Sequence, residues 1–221
     1  MQNFMFKSKY AFTLAEVLIT LVVIGVIAAL TISPLINTYV ESSTVSKVKK
    51  TLSILGQAKK LAEVQNGSIE GWNFNAGYTF QNVSDFWNYL KPHITVSKDC
   101  GNSTGCYDVD VYKLNGSPND TSYNSSFFYK IILTDGSVLW FRPTYSDKCR
   151  STEGGVENVC AAFYYDVNGE KKPNTIAKDV FIFYMSADGV FPSLSDTCSK
   201  SSTGWGCTSY IIKNNNMNYL H

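Results

Sequence analysis

The sequence predicts an α+β fold: one long N-terminal helix followed by an antiparallel β-sheet head tied by local disulfides. Three observations predict it. Phe12 to Ile36 is almost unbroken in apolar character, and Glu16 is the only charged residue between Lys9 and Glu41. Between Val45 and Ala62 the apolar residues recur at helical spacing. Beyond Gly67 the texture changes to short alternating runs, aromatics and tight-turn signals, the pattern of hairpin-connected strands. At 221 residues, with 44% hydrophobic and 14% aromatic content, the chain suits one domain plus an extended element.

Residues 1–11, MQNFMFKSKYA, form a short leader with Lys7, Lys9 and no acidic residue, which keeps that end cytoplasmic. Residues 12–36 form the apolar half of the helix. Val17 to Ile32 with its flanks approaches the roughly 20 apolar residues of a bilayer span. An acidic residue costs about 2.5–3.5 kcal/mol at the centre of such a helix and less near its end. Glu16 is therefore either a tolerated interface residue or one with a positive partner. A secretory signal cleaved after Ala28-Ala29 is the competing reading. It fits poorly, because the run is long, Glu16 lies within it, and the helical pattern continues past it. Gly25 loosens the helix, and Pro34 removes a hydrogen bond and crowds the carbonyl of Leu30.

Residues 37–66 form the amphipathic half. Val45, Val48, Leu52, Leu55 and Ala62 make one stripe, with Lys47, Lys49, Lys50, Lys59 and Lys60 largely off it. Asn66-Gly67 is the stop signal. A helix from Phe12 to Asn66 would be about 80 Å long at 1.5 Å per residue, the dimensions of a spine that protrudes from a domain.

Residues 67–221 form the β-rich head. Asp85 to Leu90 reads as a short helix closed by Lys91-Pro92. Strands are expected at 109–114, 126–134, 138–141, 163–167, 180–185 and 190–191. Asp135-Gly136 is a hairpin signal of the type I′ class, and Ala187-Asp188-Gly189 offers a second tight turn. The Asn-rich tail around 214–218 is expected to fray.

Six cysteines, Cys100, Cys106, Cys149, Cys160, Cys198 and Cys207, fall in three sequence-local pairs. An even count behind an export segment reads as disulfides. Of the fifteen possible connectivities, the local one (100–106, 149–160 and 198–207) is the expectation. No C-x-x-C pair exists and His93 and His221 are the only histidines, which argues against zinc and against Ser-His or Cys-His catalysis. Gly154-Gly155 precedes no helix and is not a phosphate loop. The net charge of +1 becomes 17 basic against 18 acidic residues once Lys7 and Lys9 are removed with the leader. Nucleic acid is therefore not an expected partner. Trp72 and Trp205 read as core aromatics before they read as sugar-binding ones.

Ala11-Phe12-Thr13-Leu14-Ala15-Glu16 followed by the apolar run resembles the cleavage and methylation segment of type IV pilins and type II secretion pseudopilins. The resemblance implies a pilin-like fold and a structural, non-catalytic role as subunit of a type IV pilus or a type II secretion pseudopilus. It implies cleavage between Ala11 and Phe12 by a membrane prepilin peptidase, N-methylation of Phe12, and neutralisation by Glu16 of a neighbouring subunit's N-terminal amine. Such a pairing makes two charges tolerable in apolar surroundings. The family's usual residue before the cleaved bond is Gly, and here it is Ala11. Gly25 and Pro34 match in kind the residues at which the helix curves or melts in filaments. The partners implied are the peptidase, other pilin or pseudopilin subunits and the inner-membrane assembly platform. The location implied is a single pass through the inner membrane with the head outside the cytoplasm.

A second stretch, from Tyr165-Asp166-Val167-Asn168-Gly169-Glu170 through Pro173-Asn174 to Asp179, also resembles a segment of pseudopilin-like proteins. Some major pseudopilins bind calcium in a C-terminal loop, and Asp166, Asn168, Glu170 and Asp179 supply oxygen ligands of the right type. Ordinary Asn-Gly turn chemistry is the other reading of this stretch, and no cofactor is otherwise expected. The competing functional class is a membrane-anchored periplasmic binding or adhesion module that does not polymerise.

Overall fold

Helix α1 runs from Leu14 to Asn66, and Gly67 closes it by donating its N–H to the carbonyl of Glu63 at 2.9 Å. The computed structural model describes residues 12–74, 80–119, 121–144, 147–194 and 197–221. Ala11, Lys7 and Lys9, on which parts of the sequence reading fall, lie outside them. The chain divides into two units, one ending at Glu41 and the other spanning Ser42 to His221. The first unit contains the apolar part of α1, which is helical without interruption through Gly25 and Pro34.

The second unit begins with the amphipathic part of α1. Val45, Val48, Leu55, Ala58 and Ala62 are buried, the stripe that the spacing predicts. Lys59 departs from expectation. It is 5% exposed, and its ammonium donates to both oxygens of Glu63 at 2.8 Å and to the carbonyl of Ala187 at 3.0 Å. An i,i+4 carboxylate supplies the countercharge that burial of the ammonium needs.

Helix α2 (Phe80–Leu90) precedes the sheet. The strands are β1 (Val96–Gly101), β2 (Tyr129–Leu133), β3 (Val138–Pro143), β4 (Ser151–Glu153), β5 (Val156–Asp166), β6 (Val180–Ser186) and β7 (Val190–Pro192). All pairs are antiparallel in the order β1-β2-β3-β5-β6-β7, with β4 beside β5. The register puts Tyr129, Phe141, Phe163 and Phe183 in one row across the sheet. Lys130, Trp140, Tyr164 and Ile182 form the adjacent row on the opposite face.

Both faces are covered. On the first, the Phe86 ring of α2 lies 6.2 Å from both Phe141 and Phe163, and Tyr165 reaches Thr51 of α1. On the second, Tyr107 stacks on Trp140 at 4.6 Å and Tyr123 lies 5.0 Å from the same ring. Lys130 is fully buried there, donating to the carbonyls of Ser125 and Phe128 at 2.9 and 3.1 Å. Burial holds its ammonium down at about 8. Helix α3 (Cys207–Asn214) closes the edge of β6 beyond β7, where Thr208 Oγ1 accepts the N–H of Ile182 at 3.1 Å.

Three expectations are corrected. Residues 109–114 are not a strand of the sheet. Tyr112 bridges instead to Pro118 and Thr175, exchanging backbone hydrogen bonds with Asn174 and Ile176, so this segment lies in the layer over the second face. The Asp135-Gly136 turn is not type I′, which needs positive φ at both residues. Gly136 has φ +81° but Asp135 does not share it. Leu133 and Ser137 pair across a three-residue loop, and Asp135 accepts the N–H of Ser137. The tail does not fray. Met217 and Tyr219 are buried, Tyr219 donates its hydroxyl to the carbonyl of Ala177 at 2.6 Å, and Lys49 donates to Asn215 Oδ1 at 2.7 Å. Trp72, by contrast, is a core aromatic as expected: it is buried and stacked on Tyr89 at 4.6 Å, with its Nε1 donating to the carbonyl of Gly67.

Candidate functional site

Helix α1 begins with a reciprocal hydrogen-bonded pair. Thr13 precedes the first helical residue, Leu14, and Glu16 follows three residues after Thr13. The Glu16 N–H donates to Thr13 Oγ1 at 3.2 Å. The Thr13 N–H and its hydroxyl both donate to Glu16 Oε2 at 2.8 Å. This is a capping box: each side chain satisfies a backbone donor that the helix start leaves open. A bare helix start in lipid would have unsatisfied N–H groups, each costly there, and this one closes on itself. Among the described residues, Oε1 of Glu16 receives no hydrogen bond.

From Val17 to Val40 every large apolar side chain whose surroundings are described is exposed. Leu14 is 80% exposed, Leu30 72% and Leu35 70%. Helix α1 contains a window long and apolar enough to cross a membrane, none of it buried in the chain. Gly25 faces open space. A soluble core helix would bury such a surface, so this one needs lipid or other helices to cover it.

The other residues singled out by sequence lie in the head. Cys100 pairs with Cys106, Cys149 with Cys160 and Cys198 with Cys207, and no cysteine is free. The turn after β5 brings Asp166, Asn168 and Asp179 together. One oxygen of Asp166 accepts the Tyr107 hydroxyl at 2.5 Å and the other the N–H of Asn168 at 3.0 Å. Asp179 accepts the N–H groups of Asn174 and Thr175 at 2.8 and 2.6 Å. With its amide nitrogen turned inward, Asn174 donates to the carbonyls of Gly169 and Lys171 at 3.2 and 2.9 Å. Glu170 is exposed and takes no part in these bonds. The carboxylates of Asp166 and Asp179 thus accept hydrogen bonds from the loop's own N–H groups and, at Asp166, from Tyr107. Among the described residues no group of three or more His, Cys, Asp or Glu is placed to hold a metal.

Two partners escape a reading of the sequence. Thr13 is legible in retrospect, because Thr-x-x-Glu ahead of an apolar run is the capping-box spacing. Tyr107 is not, because nothing local links it to Asp166.

A carboxylate at the mouth of an uncovered apolar helix agrees with the comparison with known families. Residues 6–32 match the Prokaryotic N-terminal methylation motif. The chain carries a prepilin-type segment. The matched stretch holds Phe12, Thr13, Glu16 and Gly25, and the architecture behind it is pilin-like in its long helix, antiparallel sheet and three disulfides. Neither a curated protein nor a solved structure matches the chain.

Proposed function

We propose that this chain is a structural subunit of a type IV pilus or type II secretion pseudopilus. A prepilin peptidase cuts between Ala11 and Phe12, Phe12 is N-methylated, and the protein waits in the inner membrane with its head outside the cytoplasm. The assembly platform then lifts it out, and the apolar halves of many α1 helices form the filament core. The observation that carries this reading is the exposed apolar half of α1, whose single carboxylate, Glu16, stands at its start inside the matched motif. The leader lysines support a cytoplasmic N-terminus, and three disulfides with no free cysteine suit an oxidising compartment. The role is mechanical and not enzymatic.

The test is co-expression with a prepilin peptidase and assembly machinery. The mature chain is expected to begin at methylated Phe12. Glu16→Ala is expected to leave cleavage intact and abolish filaments. A mature start elsewhere would overturn the reading. So would a Glu16→Ala protein that assembles normally, and a chain that never polymerises would be an anchored binding or adhesion module.

A further inference from the structure

Among the described residues, three of the five buried side-chain polar atoms without a hydrogen-bond partner belong to neighbours of one buried lysine. Lys130 on β2 is fully buried, and its ammonium spends two protons on the carbonyls of Ser125 and Phe128. Those acceptors are neutral. The other buried lysine, Lys59, has the carboxylate of Glu63, and Arg142 has that of Glu153. Among the described residues no carboxylate forms an ion pair with Lys130. The orphaned atoms sit around it. Ser125 Oγ belongs to the residue whose carbonyl Lys130 holds. Trp140 Nε1 belongs to its cross-strand partner on β3. Asn102 Oδ1 belongs to the residue after Gly101, the β1 partner of Lys130, and the Asn102 amide donates to the carbonyl of Ser126 at 2.8 Å. Trp140 is 0% exposed and Asn102 3%.

We propose that the layer over the second face of the sheet encloses a small anion, of halide size, held by Lys130, Ser125 and Trp140. The patch has three unspent donors: the third ammonium proton, the Ser125 hydroxyl and the Trp140 indole N–H. Against them stands one wholly unspent acceptor, Asn102 Oδ1. Folded interiors rarely leave such groups unpaired, and a buried charge without a countercharge costs more than a buried dipole does. Water would satisfy the donors and leave the charge. An anion answers both, and a water beside it can give one proton to the anion and the other to Asn102 Oδ1. Tyr107, Tyr123 and Phe128 wall the patch from solvent, which strengthens the attraction. Ring separations of 4.6–5.3 Å among these residues and Trp140 favour a monatomic ion over sulfate or a carboxylate.

The experiment uses the full chain in detergent, with sodium bromide compared with sodium gluconate at equal ionic strength. Bromide gives none of the general strengthening of burial that sulfate gives, so a rise in Tm marks a site. Bromide is expected to raise Tm saturably by at least about 3 °C, and crystals grown in it to show an anomalous-scattering peak in contact with Lys130 Nζ. Lys130→Met keeps the length of the side chain and removes the charge, and it is expected to lose the bromide response. Ser125→Ala, at a residue that is not fully buried, is expected to need at least about fivefold more bromide for half the rise. It carries the comparison if Lys130→Met fails to fold. Equal melting of the parent in the two salts overturns the proposal. So does a rise of the same size in Lys130→Met, or a half-effect concentration unchanged in Ser125→Ala. An ordered water beside Lys130 Nζ, with no anomalous signal there, overturns it too.

Discussion

The Asp166 carboxyl lies inside the head, and burial is the main reason its pKa rises to about 7, against the opposing hydrogen bond from Tyr107 and with the added repulsion of Asp179. Burial raises Asp179 as well. A carboxyl whose folded pKa lies above its unfolded value favours folding while protonated. Its contribution is complete below about pH 4 and is lost as pH rises through about 7. Asp99 and Asp135 work in the opposite sense. Burial raises each, but hydrogen bonds from Tyr129, Lys91 and Trp87 to Asp99, and from Ser137 to Asp135, outweigh it and lower both. Their contributions disappear as pH falls below about 4. The detergent-solubilised chain should therefore melt highest near pH 4–5 and lose at least about 3 °C by pH 8. Asp166→Asn should flatten that alkaline limb, a result that thermal scans at pH 5 and 8 would check. At Gly154 the constraint is steric. Its φ is +56°, and a Cβ there would lie 2.1 Å from the Tyr184 ring. Gly154→Ala should cost more than about 2 kcal/mol through strain and overpacking together, measurable as a lower urea midpoint.

Among the elements, the amphipathic part of α1 is the most readable, because apolar residues stepping by three and four fit the helical period and not the strand's period of two. Its energetic test follows from the same stripe. Leu55 is fully buried, so Leu55→Ala should cost about 2–5 kcal/mol. Val64, 85% exposed on the same helix, should tolerate alanine within about 0.5 kcal/mol. Equilibrium denaturation of the two variants separates them. Other elements leave weak traces in the sequence. β1 reads VSKDCG, is half exposed and is bulged against β2, so it shows no alternation. α3 begins after Gly206, without a side-chain cap, and its eight residues follow a Ser- and Gly-rich loop. The 109–114 stretch alternates as a strand would, yet it pairs with 117–119 across a local turn and with the 173–176 loop, and only tertiary structure supplies the second contact. At the N-terminus, Glu16 is conspicuous as a lone charge, whereas Thr13 is inconspicuous because a threonine at a helix start looks ordinary.

At the scale of the molecule, the broad class can be read from the order of textures along the chain: uniformly apolar, then amphipathic, then alternating. What is harder to read is that the sheet is covered twice. Phe163-Tyr164-Tyr165 and the run Val180 to Met185 lack polar residues at alternate positions, and that is the mark of a strand buried on both faces. The cover of the second face is an irregular layer with aromatic teeth, Tyr107 and Tyr123, for which no local pattern exists. Three disulfides stiffen the irregular parts, closing loops of 6, 11 and 9 residues in sequence separation. Both sulfurs of the Cys149–Cys160 pair belong to buried residues. Replacing that pair by serines should cost about 2–4 kcal/mol, read from denaturation of the oxidised parent and the variant.

None of these cross-links reaches α1. Among the described residues, that helix is held to the head by apolar packing and a few polar ties, such as Lys47 to the carbonyl of Val167 and Lys59 to that of Ala187. Were the protein drawn out along its helix, the seam to give way would be this unbonded one, and the head would peel from the helix, still tethered by the backbone at Gly67 with every disulfide loop closed. Tensile strength in an array of such molecules must then come from how many helices share the pull, and not from any bond within one of them.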